Sequence, residues 1–306
     1  MNRRFSNRQT VLFMVVLSFV CALILSALAS SLRVPKEQAK ELDRSRQMLL
    51  SARIYDSVGD YFQIRQDDHY TPAKCTDNGR LIPGTEEDHP TQAEVLAVYR
   101  ARIRPILIDT HGAITTFAKA GINEQEYISS HKKSGYANLP LKLAYEILSN
   151  PVPGAPSQEV EGYVIPVSGF GLWDAIYGYI AIRPDGSTVI GISWYDQKET
   201  PGLGANIAEP SWQSQFPGKQ IFQANLAGKV DFAKGYVGLT VVRGKVKEVI
   251  GENPKAWSAV DGMSGATLTG NGVMKAYNDS LTPYRPFLLR LHEAYLKTHP
   301  EGGSAA

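Results

Sequence analysis

An α+β fold is predicted, with a mainly antiparallel sheet, covering helices and one N-terminal transmembrane helix, and three features of the 306-residue sequence predict it. A long uncharged stretch opens the chain, runs of β-branched and aromatic residues recur from residue 162 to 250, and apolar residues at helical spacing follow at 273–281 and 287–297. Helices covering one face of such a sheet define this class. With 32 basic and 30 acidic residues and no basic stripe, the sequence carries no electrostatic footprint for nucleic acid. It has neither a Cys-x-x-Cys pair nor clustered histidines, so no metal site is expected. Cys21 lies in the apolar run and Cys75 in a polar segment, which argues against a disulfide between them.

Residues 1–9 carry Arg3, Arg4 and Arg8, and no charge follows until Arg33. The apolar segment 10–32 is long enough to span a bilayer, and the preceding arginines keep the N-terminus cytoplasmic and put the rest on the far side. Ala27-Leu28-Ala29 offers the alternative of a cleaved signal peptide, but the apolar core exceeds the roughly 7–15 residues of one. Cys21 follows Phe19 and Val20, which does not suit a lipoprotein. Leu42, Leu49, Ala52 and Ile54 give 36–55 the pattern of an amphipathic stalk helix. The segment 56–91, with Gly79, Pro83, Gly84 and Pro90, reads as loop or irregular structure.

A helix at 92–102 begins near Glu94 and ends in basic residues, matching the helix dipole. Residues 106–108 and 113–117 flank a turn and predict a hairpin, while 139–148 fits strand or helix. Pro151, Pro153 and Pro156 mark a linker, and a boundary there divides an α/β region at 33–156 from a second domain at 157–285. Within the latter, 163–168, 175–183 and 188–195 are expected strands, the last two joined by Pro184-Asp185-Gly186. Residues 236–242 and 246–250, separated by Arg243-Gly244-Lys245, predict a further hairpin. Residues 286–306 supply a C-terminal helix and, from Pro300, a polar tail.

Chemistry concentrates in Asp261-Gly262-Met263-Ser264-Gly265-Ala266-Thr267-Leu268-Thr269-Gly270, at the entrance of a helix marked by Val273, Ala276, Tyr277 and Leu281. A helix entrance offers unpaired N–H groups and a positive dipole end to an anion, and the glycines let it approach closely. The plain alternative is that Ser264 or Thr267 is an N-cap. Asp261 is expected to cap or orient the turn, and no adjacent His or Lys activates Thr267 as a nucleophile. Lys245 and Lys247 are counter-charges for a phosphate or simply a basic hairpin.

Ser264-Gly265-Ala266-Thr267, preceded by Asp261 and followed by Leu268-Thr269, resembles the flavinylation motif of the FMN-binding domain family. Three further strings are similar to signatures of that family: Glu199-Thr200-Pro201-Gly202-Leu203-Gly204, Gly169-Phe170-Gly171-Leu172-Trp173, and Pro210-Ser211-Trp212-Gln213-Ser214-Gln215-Phe216. The resemblance is best over 162–282 and implies FMN esterified through its phosphate to Thr267 by a separate flavin transferase. It further implies contacts from Asp261, Ser264, Gly265, Ala266, Leu268 and Thr269, and from Glu199, Thr200, Gly202, Leu203, Gly204, Trp173 and Lys245. Glu199 is expected to hold its loop, and Trp212 and Phe216 to pack beneath it.

What this resemblance implies about function is an electron relay without a substrate site of its own. The setting would be a sodium-translocating NADH:quinone oxidoreductase of the bacterial inner membrane, with the main domain periplasmic. Its partners would be the other subunits, above all a second FMN-bearing membrane subunit that takes the electrons onward. The alternatives are a G subunit of the related Rnf ferredoxin:NAD oxidoreductase, or a non-redox exported binding module.

Overall fold

The uncharged N-terminal run forms helix α1 (Asn7–Ser31), 25 residues long with no buried side chain. At 1.5 Å per residue it measures about 37 Å, more than the roughly 30 Å hydrocarbon core of a bilayer. It is long and apolar enough to cross a membrane. The structure, a computed structural model, describes residues 7–66, 69–76, 78–155 and 157–299. Arg3, Arg4, Pro156 and the tail from Pro300 lie outside the described residues. Two compact units are present, 1–44 and 45–306.

Helix α2 (Arg33–Ser51) ends earlier than its periodicity suggests. The Ile54 N–H reaches back to the Leu49 carbonyl at 2.9 Å and the Arg53 N–H to Leu50 at 3.0 Å, while Arg53 takes φ 54°. This is a Schellman termination with arginine where glycine is usual, at a cost of roughly 1–2 kcal/mol. Met48 and Leu49 in the last turn are fully buried.

Residues 56–91 are not irregular, contrary to the sequence expectation. Strands β1 (Tyr55–Asp56), β2 (Tyr61–Gln66), β3 (His69–Cys75) and β4 (Leu81–Pro83) form an antiparallel sheet in sequential order. Pro72 is tolerated in β3 because its carbonyl faces β4, where it accepts the Gly84 N–H at 3.0 Å, so the ladder to β2 loses no donor.

The principal sheet has six antiparallel strands in the order β10-β9-β8-β7-β5-β6. Helix α3 (Gln92–Arg102), started by a capping box between Thr91 and Glu94, leads directly into β5 (Ile103–Ile108). Strand β6 (Ile114–Thr115) completes the expected hairpin, and two short helices, α4 (Phe117–Ala120) and α5 (Glu124–His131), follow. Strand β7 (Lys142–Leu148), buried along its whole length, lies in the middle of the sheet beside β8 (Val160–Phe170). The proline-containing stretch between them therefore connects two neighbouring strands of one sheet. Strands β9 (Ala175–Ile182) and β10 (Val189–Asp196) finish it.

A short helix α6 (Pro210–Gln213) follows β10. The expected hairpin at 236–250 does not form. Strand β11 (Thr240–Val241) pairs in parallel with β12 (Ala259–Val260), and the second arm is a helical turn, α7 (Val246–Val249). The reason is non-local: the Asp261 carboxylate accepts the Val246 N–H at 2.7 Å and turns the chain there.

Helices α8 (Thr267–Leu281) and α9 (Arg285–Thr298) cover the sheet, packing Val273, Ala276, Tyr277, Leu281, Phe287 and Leu288 onto Ile165, Ile176, Ile180 and Trp194. Contact between α8 and β8 is close enough that a Cβ at Gly272 would sit 2.2 Å from the Phe170 carbonyl oxygen. Gly272→Ala is thus expected to cost about 1–3 kcal/mol from overpacking, net of the gain of up to about 1 kcal/mol in helix propensity. Urea denaturation measures this, and an unchanged or higher midpoint would contradict the close packing.

Candidate functional site

Helix α8 begins without a side-chain cap: the N-cap position is Ala266, and neither Ser264 nor Thr267 bonds the first turn. The plain N-cap expectation therefore fails. Gly265 takes φ 73°, turning the chain so that Ala266 donates to the Met263 carbonyl at 3.2 Å. The first bond inside the helix runs from Gly270 N–H to Ala266 at 3.0 Å. The N–H groups of Thr267, Leu268 and Thr269 precede it and head the dipole.

Thr267 is the first helical residue and is exposed, as are Ser264 and Gly265, while Ala266 is buried. Beside it lies a groove of about 470 Å³ lined by Ser264, Gly265, Ala266, Thr267, Lys245 and Asn271 among others. Lys245 Nζ stands 3.0 Å from Asp261 Oδ2. Burial works to raise the Asp261 carboxyl, but the Val246 N–H and the Lys245 ammonium outweigh it and hold it below the usual aspartate value. Asp261 thus anchors Lys245 and the start of α7 rather than the turn at 264–267. Its own backbone is clamped from both sides, the carbonyl by Trp212 Nε1 at 2.9 Å and the N–H by Gln215 Oε1 at 2.8 Å. Trp212 and Phe216 pack edge to face in the interior. Gln215 occupies the polar position of its string, and no local pattern announces its bond to the Asp261 N–H.

Glu199 joins three of the four strings. Its buried carboxylate accepts the Leu172 and Trp173 N–H groups, each at 3.0 Å, and the buried Thr269 hydroxyl. A Cβ at Gly171 would sit 2.4 Å from the carboxylate, and one at Gly204 would sit 2.5 Å from the Thr269 hydroxyl. Trp173, largely exposed, donates from Nε1 to Thr200 Oγ1 at 3.0 Å. The Thr200 carbonyl accepts the Leu203 and Ala205 N–H groups, both at 3.1 Å, closing the loop. Leu203 lies against Gly265, where a Cβ would come within 2.9 Å of its side chain. Gly202 (φ 75°) and Leu268 are exposed, as are Phe170 at the end of β8 and Leu172.

Burial works to raise the Glu199 carboxyl, but the hydrogen bonds from Thr269, Trp173 and Leu172 overcome it and hold it below its ordinary value of 4.5. Because the folded value lies below the unfolded one, the stability this group contributes is complete above about 4.5 and is lost as pH falls through the depressed value. Glu199→Gln should remove that part of the acid sensitivity, flattening the thermal midpoint against pH between about pH 5 and 3. A variant as acid-sensitive as the parent would assign the effect elsewhere.

Residues 171–282 match the FMN-binding domain family. Over 301 residues the chain is 41% identical to the C subunit of the Na(+)-translocating NADH-quinone reductase of Chlamydia caviae, covering 94% of each. It is 40% identical over 289 residues to the protein of the same name from Chlamydia muridarum, covering 91% of this chain and 90% of the other. To that of Pasteurella multocida it is 29% identical, covering 94% and 95%. A crystal structure of the C subunit from Parabacteroides distasonis aligns with a TM-score of 0.51 at 23% identity, over 84% of this chain and 96% of that one.

Proposed function

Because this chain belongs to the family of C subunits of Na(+)-translocating NADH-quinone reductases, we propose that it is a membrane-anchored flavoprotein with FMN esterified through its phosphate to Thr267. The observation that carries this reading is the uncapped start of α8, where an exposed threonine hydroxyl shares a groove with unpaired helix N–H groups and Lys245. A phosphate monoester at that position would lie at the positive end of the dipole. The fit is supported by the φ of 73° at Gly265 and by the small side chain of Ala266, which leave the groove open.

FMN supplies one- and two-electron transfer when bound. The chain's own part is to hold and orient. Glu199 ties the loops at 171–173 and 199–204 to Thr269, and the exposed Trp173, Leu203 and Leu268 carried by these segments would form an apolar rim for the ring system. That rim would exclude water from the ring system. Lys245, paired with Asp261, would supply a positive charge near the phosphate. Lys245 and Glu248 line the groove with Thr267 but no histidine does, and an unassisted threonine hydroxyl is a poor nucleophile, which supports attachment by a separate flavin transferase.

In this reading α1 anchors the protein in the bacterial inner membrane, with Arg8 on the cytoplasmic side and 45–306 in the periplasm. The flavin relays electrons that began on NADH in another subunit to a second FMN-bearing membrane subunit, within a sodium-pumping complex. The test is maturation with and without a flavin transferase. Protein matured with it should keep its flavin fluorescence through a denaturing gel, and protein matured without it should run dark. Equal fluorescence in the two, or none in either, would overturn the proposal.

A further inference from the structure

A second concavity, of about 840 Å³, opens on the unit formed by 45–306 and shares no lining residue with the groove at Thr267. Four arginines from separate parts of the chain converge on it. Arg53 follows α2, Arg65 lies in β2, Arg102 ends α3 and Arg183 follows β9. Among the described residues lining it, the one carboxylate is Glu161. Glu161 is already used, holding the buried Arg102 at 2.7 Å. Neither Arg53 nor Arg183 has a carboxylate partner among the described ion pairs. Arg53 and Arg183 therefore add positive charge to the concavity beyond the Arg102–Glu161 pair, and such a patch attracts an anion.

Arg53 gives an independent sign. It occupies the left-handed C′ position where glycine would be unstrained, and its guanidinium lies 4.2 Å from the centre of the Tyr70 ring at the concavity wall. A residue held in an unfavourable backbone region, with its side chain stacked and aimed, is the pattern of a functional position. The helix termination alone does not ask for arginine there.

We propose that this concavity binds a phosphate-bearing small molecule, with Arg53 and Arg183 as its principal ligands and the Arg102–Glu161 pair as a fixed wall. Guanidinium groups present paired donors matched to phosphate oxygens. The volume falls in the range of small-ligand sites. An extended acidic peptide fits less well. Strand β2, which lines the concavity, is paired on both sides, by β1 and β3, and at the edge strand β10, which lines it through Val189 and Ile190, the Val189 backbone is already bonded to Gly218 and Lys219.

The test is isothermal titration of inorganic pyrophosphate into the full-length, flavin-bearing protein. Saturable 1:1 binding is expected, weakened at least about tenfold by Arg183→Gln and by Arg53→Gly. Arg53→Gly also reports on folding: because glycine relieves the left-handed strain, its thermal midpoint should be unchanged or higher while binding falls. Absence of saturable binding would overturn the proposal, as would binding that both variants retain, since that would place the anion elsewhere. An aspartate-rich peptide that binds more tightly than pyrophosphate with the same dependence on Arg53 and Arg183 would also overturn it, in favour of a protein partner.

Discussion

Glu199→Ala is expected to lower the unfolding free energy by about 3–5 kcal/mol, the largest loss for any single side chain at the site. The substitution leaves the Leu172 and Trp173 N–H groups and the buried Thr269 hydroxyl without their acceptor. It also opens a void against Gly171 and Gly204, whose backbones are pressed onto the carboxylate. Glu199→Gln keeps one acceptor oxygen and should lose roughly half as much. Local consequences are expected as well. Backbone amides at 171–173 should lose hydrogen-exchange protection, and flavin incorporation should fall because Leu203 is no longer held against Gly265. Denaturant titration with hydrogen exchange measures both effects, and a stability loss below about 1 kcal/mol would mean that Glu199 does not hold the loops together.

Thr267→Ala should do the opposite: abolish covalent flavin while leaving the fold alone. The Thr267 side chain is exposed and caps nothing, and alanine is at least as good at the first helical position, so stability should stay within about 0.5 kcal/mol of the parent. After maturation with a flavin transferase, the denatured variant should show no in-gel fluorescence. Retention of flavin by a folded Thr267→Ala protein would move the attachment to another hydroxyl, with Ser264 in the same groove the first to examine. Together the two substitutions separate holding the site from bearing the cofactor.

The parts of the fold that depend on neighbouring residues in the chain were readable from it. Alternating β-branched and aromatic residues gave away β8, β9 and β10, and apolar residues at helical spacing gave away α8 and α9. What could not be read depends on distant partners. Strands β2 and β3 are masked by the turn formers that follow them, Gly79, Pro83, Gly84 and Pro90, and Pro72 becomes acceptable only once its carbonyl faces Gly84. Residues 246–249 look like a strand until Asp261, far along the chain, takes the Val246 N–H. The site divides in the same way. Each string was visible alone, but the hydrogen bond from Thr269 to Glu199 that joins them spans 70 residues. Asp261 was expected to serve its own turn because nothing in its neighbourhood announced Lys245 as the competing partner.

The most direct measurement is the mass of the tryptic peptide 256–275, which contains Ser258, Ser264, Thr267 and Thr269, taken from protein matured with its flavin transferase. A peptide heavier by one FMN less one water is expected, with fragmentation placing the addition on Thr267. An unmodified peptide, or an addition on Ser258, Ser264 or Thr269, would contradict it.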